Sequence, residues 1–386
     1  MSLTIEVVDA LDAVPAEAWD ALVGDGCPFL EHAFLVGLER TGAVGPGTGW
    51  GPRYLLCRRG RALVGAAALY EKTHSHGEFI FDWGWADAAE RAGLPYYPKL
   101  VAAAPFSPVA GPRLLLAPGE GDEVRRALIQ GGRALSRRLG CTGVHWLFVT
   151  ADEADVLEAE GLAIRHTHQF HWHNEGYADF EAFLARFRSD RRNQIRRERR
   201  GVVEAGVTLR VVEGDALTAD DEALAWACYT HTVDKFYWGR RYLNRAFFAH
   251  LFKHFRHRIL LVRADRGGRG VAAAFNIQKG ADLYGRYWGC LEEIRYLHFE
   301  VCSYAGIEAA IARGLQRFEA GAGGGSHKFG RGFLPRRIYS AHQIDLPPLD
   351  RAVRAFLERE RAGLEEELAS VEGAVLKAPT GIDPVG

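Results

Sequence analysis

The chain has 386 residues, 48% hydrophobic and 25% charged, with a formal net charge of −1; that length exceeds one typical core and predicts two domains of ordinary globular composition. No apolar run reaches the ~20 residues that span a bilayer, and the N-terminal MSLTIEVVDALDAV lacks a basic region followed by an apolar one, so neither a membrane span nor a signal peptide is expected. Six scattered cysteines (27, 57, 141, 228, 290 and 302) without a CxxC pair argue against a disulfide frame or a zinc knuckle, and fit free thiols in a reducing cytoplasm.

In chain order, LTIEVVDA (3–10) reads as a strand and FLEHAFLVGLERTG (29–42) has helical spacing that stops at Gly42. Strand-like runs follow at 52–60, 61–73 and 78–82, with another around GPRLLLAPG (111–119). A helix over 122–140 leads into the apolar strand GVHWLFVT (143–150). The pattern then restarts with AIRHTHQFHWHN (163–174) as a long strand, helices at 178–187 and 190–204, and a strand at 207–214. Helices at 220–236 and 242–255, strands at 258–265, 270–280 and 281–290, and a helix around 299–314 complete it before a Gly-rich loop. The segment 349–373 is an amphipathic charged helix, followed by a Pro/Gly tail.

Each half thus runs through antiparallel strand series with helices grouped around them, without strict βα alternation. That order predicts an α+β fold in two copies of one architecture. The ranges are 1–162 for an N-terminal domain, 163–348 for a C-terminal domain, and 349–386 for the terminal helix and tail.

The segment RSDRRNQIRRERR (188–200) holds seven Arg and two acids, a local charge of +5 in a nearly neutral chain. Ser189 or Asp190 can cap the helix it predicts. Arg188, Arg192, Arg196 and Arg199 or Arg200 recur on one stripe, while Phe187, Ile195 and Val202 form another that can pack inward. Guanidinium forks match phosphate oxygens, so a pyrophosphate clamp and a tRNA backbone contact both fit. A solvated face with Glu198 pairing its Arg neighbours fits too. Arg192 and Arg196 are expected to face a cleft, and Arg197 and Arg200 to be solvated.

Two other clusters carry chemistry. In HTHQFHWH (166–173) strand alternation splits the four His between two faces, so no metal site is expected. In FDWGWAD (81–87), Asp82 stands between aromatics; it can cap the following helix or recognise an acceptor amine.

PFLEHAFLVGLERTG, GWGPRYL, FDWGWADAAERAGLPYYPKL, QFHWHNEGYADFEAFL, RSDRRNQIRRERR, LYGRYWG, LHFEVCSYAGIEAAI and HKFGRGFLP, taken as an ordered set from residue 28 to about 342, resemble the FemAB-like N-acyltransferases of the GNAT superfamily. The resemblance implies two tandem GNAT-like domains and amide-bond formation. The related FemABX enzymes move an amino acid from aminoacyl-tRNA onto the amine of a cell-wall precursor. One departure is that GAGGGS (321–326) precedes the His-Lys pair where the family usually has Gly-Ala-Gln-Gly-Glu.

By that resemblance Lys328, in HKFGRGF and within a run holding five glycines in 321–330, is the catalytic lysine whose ammonium stabilises an oxyanion, with His327 beside it as a substrate contact. Its other reading is a surface lysine on a flexible loop. In LYGRYWG, alternation puts Tyr284, Arg286 and Trp288 on one face, and in acetyltransferase-type folds this strand lines the donor cleft. Arg286 needs a partner, which Glu300 of LHFE can supply; Glu300 can otherwise be the base for the attacking amine. No R/Q-x-x-G-x-G/A motif precedes a helix, which lowers the expectation of acetyl-CoA. The expected function is an N-acyltransferase using aminoacyl-tRNA and an amine-bearing acceptor, with no metal or bound cofactor. The alternatives are an acyl-CoA-dependent N-acyltransferase and a non-catalytic RNA- or phosphate-binding module.

Overall fold

In the computed structural model, residues 2–235, 239–323, 325–371 and 376 are described. The chain divides into two compact units: residues 1–168, 242–254 and 337–364, and residues 169–241, 255–336 and 365–386. Contiguous ranges read from the sequence therefore cut across the first unit, which takes back two later segments. The returning helix Arg245–His254 shows why. Its buried Phe247, Phe248, Leu251 and Phe252 need an apolar partner, and Phe247 meets Phe34 edge-on at 5.3 Å. Asn244 Nδ2 also donates to the Thr41 carbonyl at 2.6 Å. Sequence adjacency carries no information about such a partner.

The first unit's sheet runs in the order Leu3–Val8, Trp50–Arg59, Ala62–Lys72, Lys99–Ala102, Gly143–Val149 and the 337–344 portion of the last strand. Its pairs are antiparallel except Lys99–Ala102 with Gly143–Val149. The helix Asp122–Leu139 covers this sheet. Asp122 and Glu123 in its first turn and Arg137 and Arg138 in its last complement the helix dipole, and Gly140 at φ +67 ends it. Its Val124, Leu128, Ile129 and Leu135 share a core with Leu55, Leu69, Leu100 and Trp146.

The second unit repeats the plan. Its sheet order is the 169–173 portion of Ala163–His173, then Arg317–Glu319, Asp282–Cys290, Arg269–Lys279, Ile259–Arg266 and Val207–Glu213. Again one pair, Asp282–Cys290 with Arg317–Glu319, is parallel and the rest antiparallel. The core joins Phe183, Phe187, Ile195 and Val202 to Leu260, Val262, Leu283, Val301 and Phe318. The α+β class and the two-copy architecture thus stand as expected.

Several elements differ from the sequence reading. Residues 78–82 form no strand, and 111–119 contributes only Leu115–Leu116. Short strands at Lys99–Ala102 and Arg317–Glu319 and the long strand Leu334–Ile344 escape periodicity. The first two are too short to show alternation. The predicted helix 220–236 appears as Ala219–Asp234, and its last residue, with most of the C-terminal tail, lies outside the described residues.

Candidate functional site

Lys328 sits in a single helical turn, Gly325–Phe329, rather than in an open loop. Its side chain is buried, and Nζ donates to the Gly321 carbonyl at 2.7 Å. Gly321 adopts φ +76, a conformation open to glycine at little cost. Burial pushes the Lys328 ammonium down to about 8; Cys302 acts against that shift and the charge of Arg286 acts with it.

Lys328 lines a cavity of about 90 Å³ together with Arg286, Tyr287, Trp288, His298, Cys302, Ser303 and His327. Four residues singled out from the sequence (Arg286, Trp288, His327 and Lys328) therefore come together. Tyr284 is not among the lining residues. Its hydroxyl donates to Asp282 Oδ2 at 3.3 Å and accepts from Arg317 Nη2 at 3.4 Å. The cause is a β-bulge. Phe275 pairs with Tyr287 but Asn276 pairs with Gly285, so Arg286 is an extra residue in its strand. The bulge resets alternation, and Leu283 and Trp288 pack on the same core. Tyr284, Arg286 and Trp288 hence do not share one face.

Glu300 does not serve Arg286. Arg199 Nε donates to Glu300 Oε1 at 3.1 Å, and Arg199 Nη2 to Glu308 Oε2 at 2.6 Å. Glu300 borders a second, larger groove of about 600 Å³ floored by Leu184, Leu209, Val262 and Ala305 and edged by Arg196, Arg199, Arg200 and Arg210. Burial raises the Glu300 carboxyl, and Arg199 offsets part of that. The separation arises in the helix that carries these residues, where Glu300–Tyr304 winds as a π-helix between α-helical Leu297–Phe299 and Ala305–Ala312. Such a wide turn is a local insertion that re-aims side chains. Glu300 meets the groove while Cys302 and Ser303 meet the cavity.

His298, in the helical turn Leu297–Phe299 and not singled out from the sequence, is a missed member of the cavity. Its ring lies 4.3 Å from that of Trp288 and 5.7 Å from that of His327. Burial first, then the charges of His327, Arg331 and Lys328, push it down to about 4. His327 is lowered by burial, Lys328 and Arg331. Both imidazoles are thus neutral near pH 7 and able to accept a proton, beside two cations. Among the described residues the lining holds no carboxylate. LHFE contained the signal: His298 stands one residue from each of two apolar positions, in the same tetrapeptide as Glu300.

The Arg-rich helix spans Ser189–Glu204. Ile195 and Val202 are buried as expected, as is Phe187 ahead of them. The cap expected of Ser189 or Asp190 is absent: Arg188 occupies the capping position, and no side chain bonds there. The helix begins one residue earlier than the pattern suggests, which puts Ser189 inside its first turn. The Arg stripe also divides. Arg188 is exposed and Arg192 is half-buried; Arg196 is exposed and paired to Glu181 at 2.5 Å. Arg196 and Arg200 edge the large groove, Arg192 lines neither space, and Arg197 is exposed. Glu198 is buried and pairs not with its Arg neighbours on the helix but with Arg331.

Asp82 belongs to the first unit's interior. It occupies the capping position of Trp83–Arg91 without a side-chain bond to it. Instead it accepts from Tyr96 Oη at 2.6 Å and from Lys99 Nζ, which also donates to Glu78 at 2.7 Å. Burial opposes ionisation of Asp82, yet Lys99 and its hydrogen bonds hold its carboxyl below the usual range. The ionic anchor therefore outcompetes the expected cap. Asp82 is thus buried against intramolecular partners rather than presented at the surface.

Among the described residues no group of three or more His, Cys, Asp or Glu is placed to hold a metal ion, and no helix is long and apolar enough to cross a membrane.

Solved structures share the fold. FemX matches at a TM-score of 0.55 and 12% identity, covering 90% of this chain and 100% of its own. L-PGS from Bacillus licheniformis matches at 0.52 and 10%, covering 83% and 95%. A tandem GNAT protein from the clavulanic acid biosynthesis pathway matches at 0.44 and 15%, covering 89% and 99%. No curated protein sequence matches. Each of the two units is a mostly antiparallel sheet flanked by helices. The FemAB-like family, described as peptidoglycan biosynthesis/recognition, matches residues 10–376, and the chain belongs to that family.

Proposed function

We propose that the second unit is an N-acyltransferase. A neutral amine attacks an activated acyl carbonyl; the C–N amide bond forms, the bond to the carrier breaks, and the amine's proton passes through an imidazole to the leaving group. The supporting observation is Lys328, whose partly desolvated ammonium shares a small cavity with Trp288, His298 and His327. A charge held in a water-poor site stabilises the developing oxyanion more than it would in water. His327, less shifted than His298, is the better proton acceptor. This chemistry calls for no metal or bound cofactor.

Family membership supports an aminoacyl-tRNA as donor and the amine of a cell-wall precursor or natural-product intermediate as acceptor. Exposed Arg196 and Arg200 offer phosphate contacts in that reading. The test is transfer of radiolabelled amino acids from charged tRNA, with and without RNase. Loss of product on RNase treatment is the expected result. Turnover that survives RNase and needs an acyl-CoA supports the second reading, a CoA-dependent N-acyltransferase. The cationic lining favours that reading in one respect, since no carboxylate in it would pair an α-ammonium.

A further inference from the structure

Glu198 stands among seven arginines yet is 2% exposed. Its two oxygens accept from Arg331 Nη2 at 3.0 and 2.9 Å, one of them from Gln194 Nε2 at 2.9 Å and the other from the Tyr304 hydroxyl. Arg331 is itself buried, with its guanidinium 3.3 Å from the Phe299 ring centroid. Its other hydrogen bonds reach the turn that carries Lys328. Nη1 donates to the His327 carbonyl at 2.8 Å, and the Arg331 backbone N–H to the Lys328 carbonyl at 2.9 Å.

A five-residue helical turn flanked by glycines does not hold its own shape in water. Here its His327 carbonyl is held by a guanidinium, and that guanidinium is fixed by a carboxylate on another helix. Tyr304 ties the same carboxylate to the π-helical segment whose Cys302 and Ser303 form another wall of the cavity. We propose that Glu198 and Arg331 are a positioning pair that sets the Lys328 ammonium into the cavity, where it meets the acyl carbonyl of the reaction proposed above. Neither residue touches substrate. The Arg-dense helix therefore serves the site through its one buried acid. A buried ion pair contributes little net stability compared with apolar residues of like volume, so stability alone gives no reason for this arrangement.

The inference rests on the acyl-transfer reading for its purpose, but its geometry has an independent readout. Lys328 in the full-length protein is labelled with acetic anhydride across a pH series, and the Lys328 peptide is followed by mass spectrometry. The wild-type profile should centre near 8. In Glu198→Gln the turn is released, the ammonium regains water, and the midpoint should rise by about one unit or more toward the ordinary lysine value of ~10.4. The kcat for acyl transfer should fall at least about tenfold with KM nearly unchanged. A merely structural pair predicts the opposite sign. Loss of a nearby carboxylate with Lys328 still in place leaves Arg331 uncompensated and lowers the midpoint, with Arg286, Cys302, His298 and His327 facing the ammonium as before. Should Glu198→Gln fold poorly, Glu198→Met combined with Arg331→Met removes both charges at once, and the same rise is expected. A midpoint that stays or falls in both proteins overturns the positioning role. A rise without any acyl transfer by the wild type would uphold the pair and sink the reaction.

Discussion

Arg199 Nε lies 3.1 Å from Glu300 Oε1, and its guanidinium also lies over the Phe180 ring at 4.5 Å. The acid that could have served as a base is thus neutralised by the Arg-rich helix, on the far side of the π-helical segment from Lys328. Replacing Glu300 with Gln should cost about 1–3 kcal/mol in urea unfolding, the usual effect of weakening a buried charge-assisted hydrogen bond, and should leave kcat within about threefold. A hundredfold fall in kcat would assign Glu300 to proton transfer.

Lys328→Met should trade activity for stability. The folded ammonium titrates near 8 and the unfolded one near ~10.4. Between those values the folded state binds fewer protons, so the full penalty of the lysine is present below pH 8, shrinks as pH rises from there, and is gone above the unfolded value. The variant should lose roughly 100-fold or more in kcat. It should melt higher than wild type at pH 7, with the gap narrowing by pH 10 in scanning calorimetry. An equal or lower melting temperature at pH 7 would mean that the ammonium is not desolvated.

The same titration sets the alkaline limb of activity. Oxyanion stabilisation needs the protonated amine, so kcat should fall about tenfold per pH unit above 8. A rate that stays flat to pH 10 would remove Lys328 from the chemistry.

In the first unit, Lys99 is fully buried and donates to Ser75 Oγ at 2.9 Å as well as to Glu78 and Asp82. Lys99→Met leaves Asp82 without its cation and Glu78 with Lys72 at 3.8 Å, and should cost about 3–5 kcal/mol. Adding Asp82→Asn should recover part of that. Urea midpoints of the single and double variants read the coupling directly, and additive losses would show that the three groups are not one network.

If Arg196 and Arg200 contact phosphate, the double variant Arg196→Ala/Arg200→Ala should bind tRNA about tenfold more weakly in moderate salt. The slope of log affinity against log salt should drop by about 2. An unchanged slope places the polyanion elsewhere or nowhere.

Much of the helix Ser189–Glu204 was legible because its period is that of a helix and Ile195 and Val202 repeat on it. Glu198 was legible too. It lies three residues after Ile195 and four before Val202, on the buried stripe, and its charge alone argued for the surface. At 78–82 the alternation was real but its polarity is inverted. Glu78, Ile80 and Asp82 point inward and Phe81 is 62% exposed, because Lys99 makes the interior the cheaper place for the acids. The bulge at Arg286 and the π-helical turn at Glu300–Tyr304 leave no mark in periodicity, since each inserts one residue into an otherwise regular count. Gathering Lys328, Arg286, Trp288 and His327 required only motif reading, whereas removing Tyr284 and Glu300 from that group required coordinates.

The extra residue at Arg286 makes the cavity a matter of length as well as of identity. Side chains there can be exchanged singly and the pocket only changes its chemistry. Deleting any one residue from Gly285–Tyr287 would straighten the strand and turn Trp288 to the opposite face, so the pocket would lose a wall while almost every residue type remained. Tolerance to substitution and intolerance to a one-residue deletion should therefore part company within these three positions.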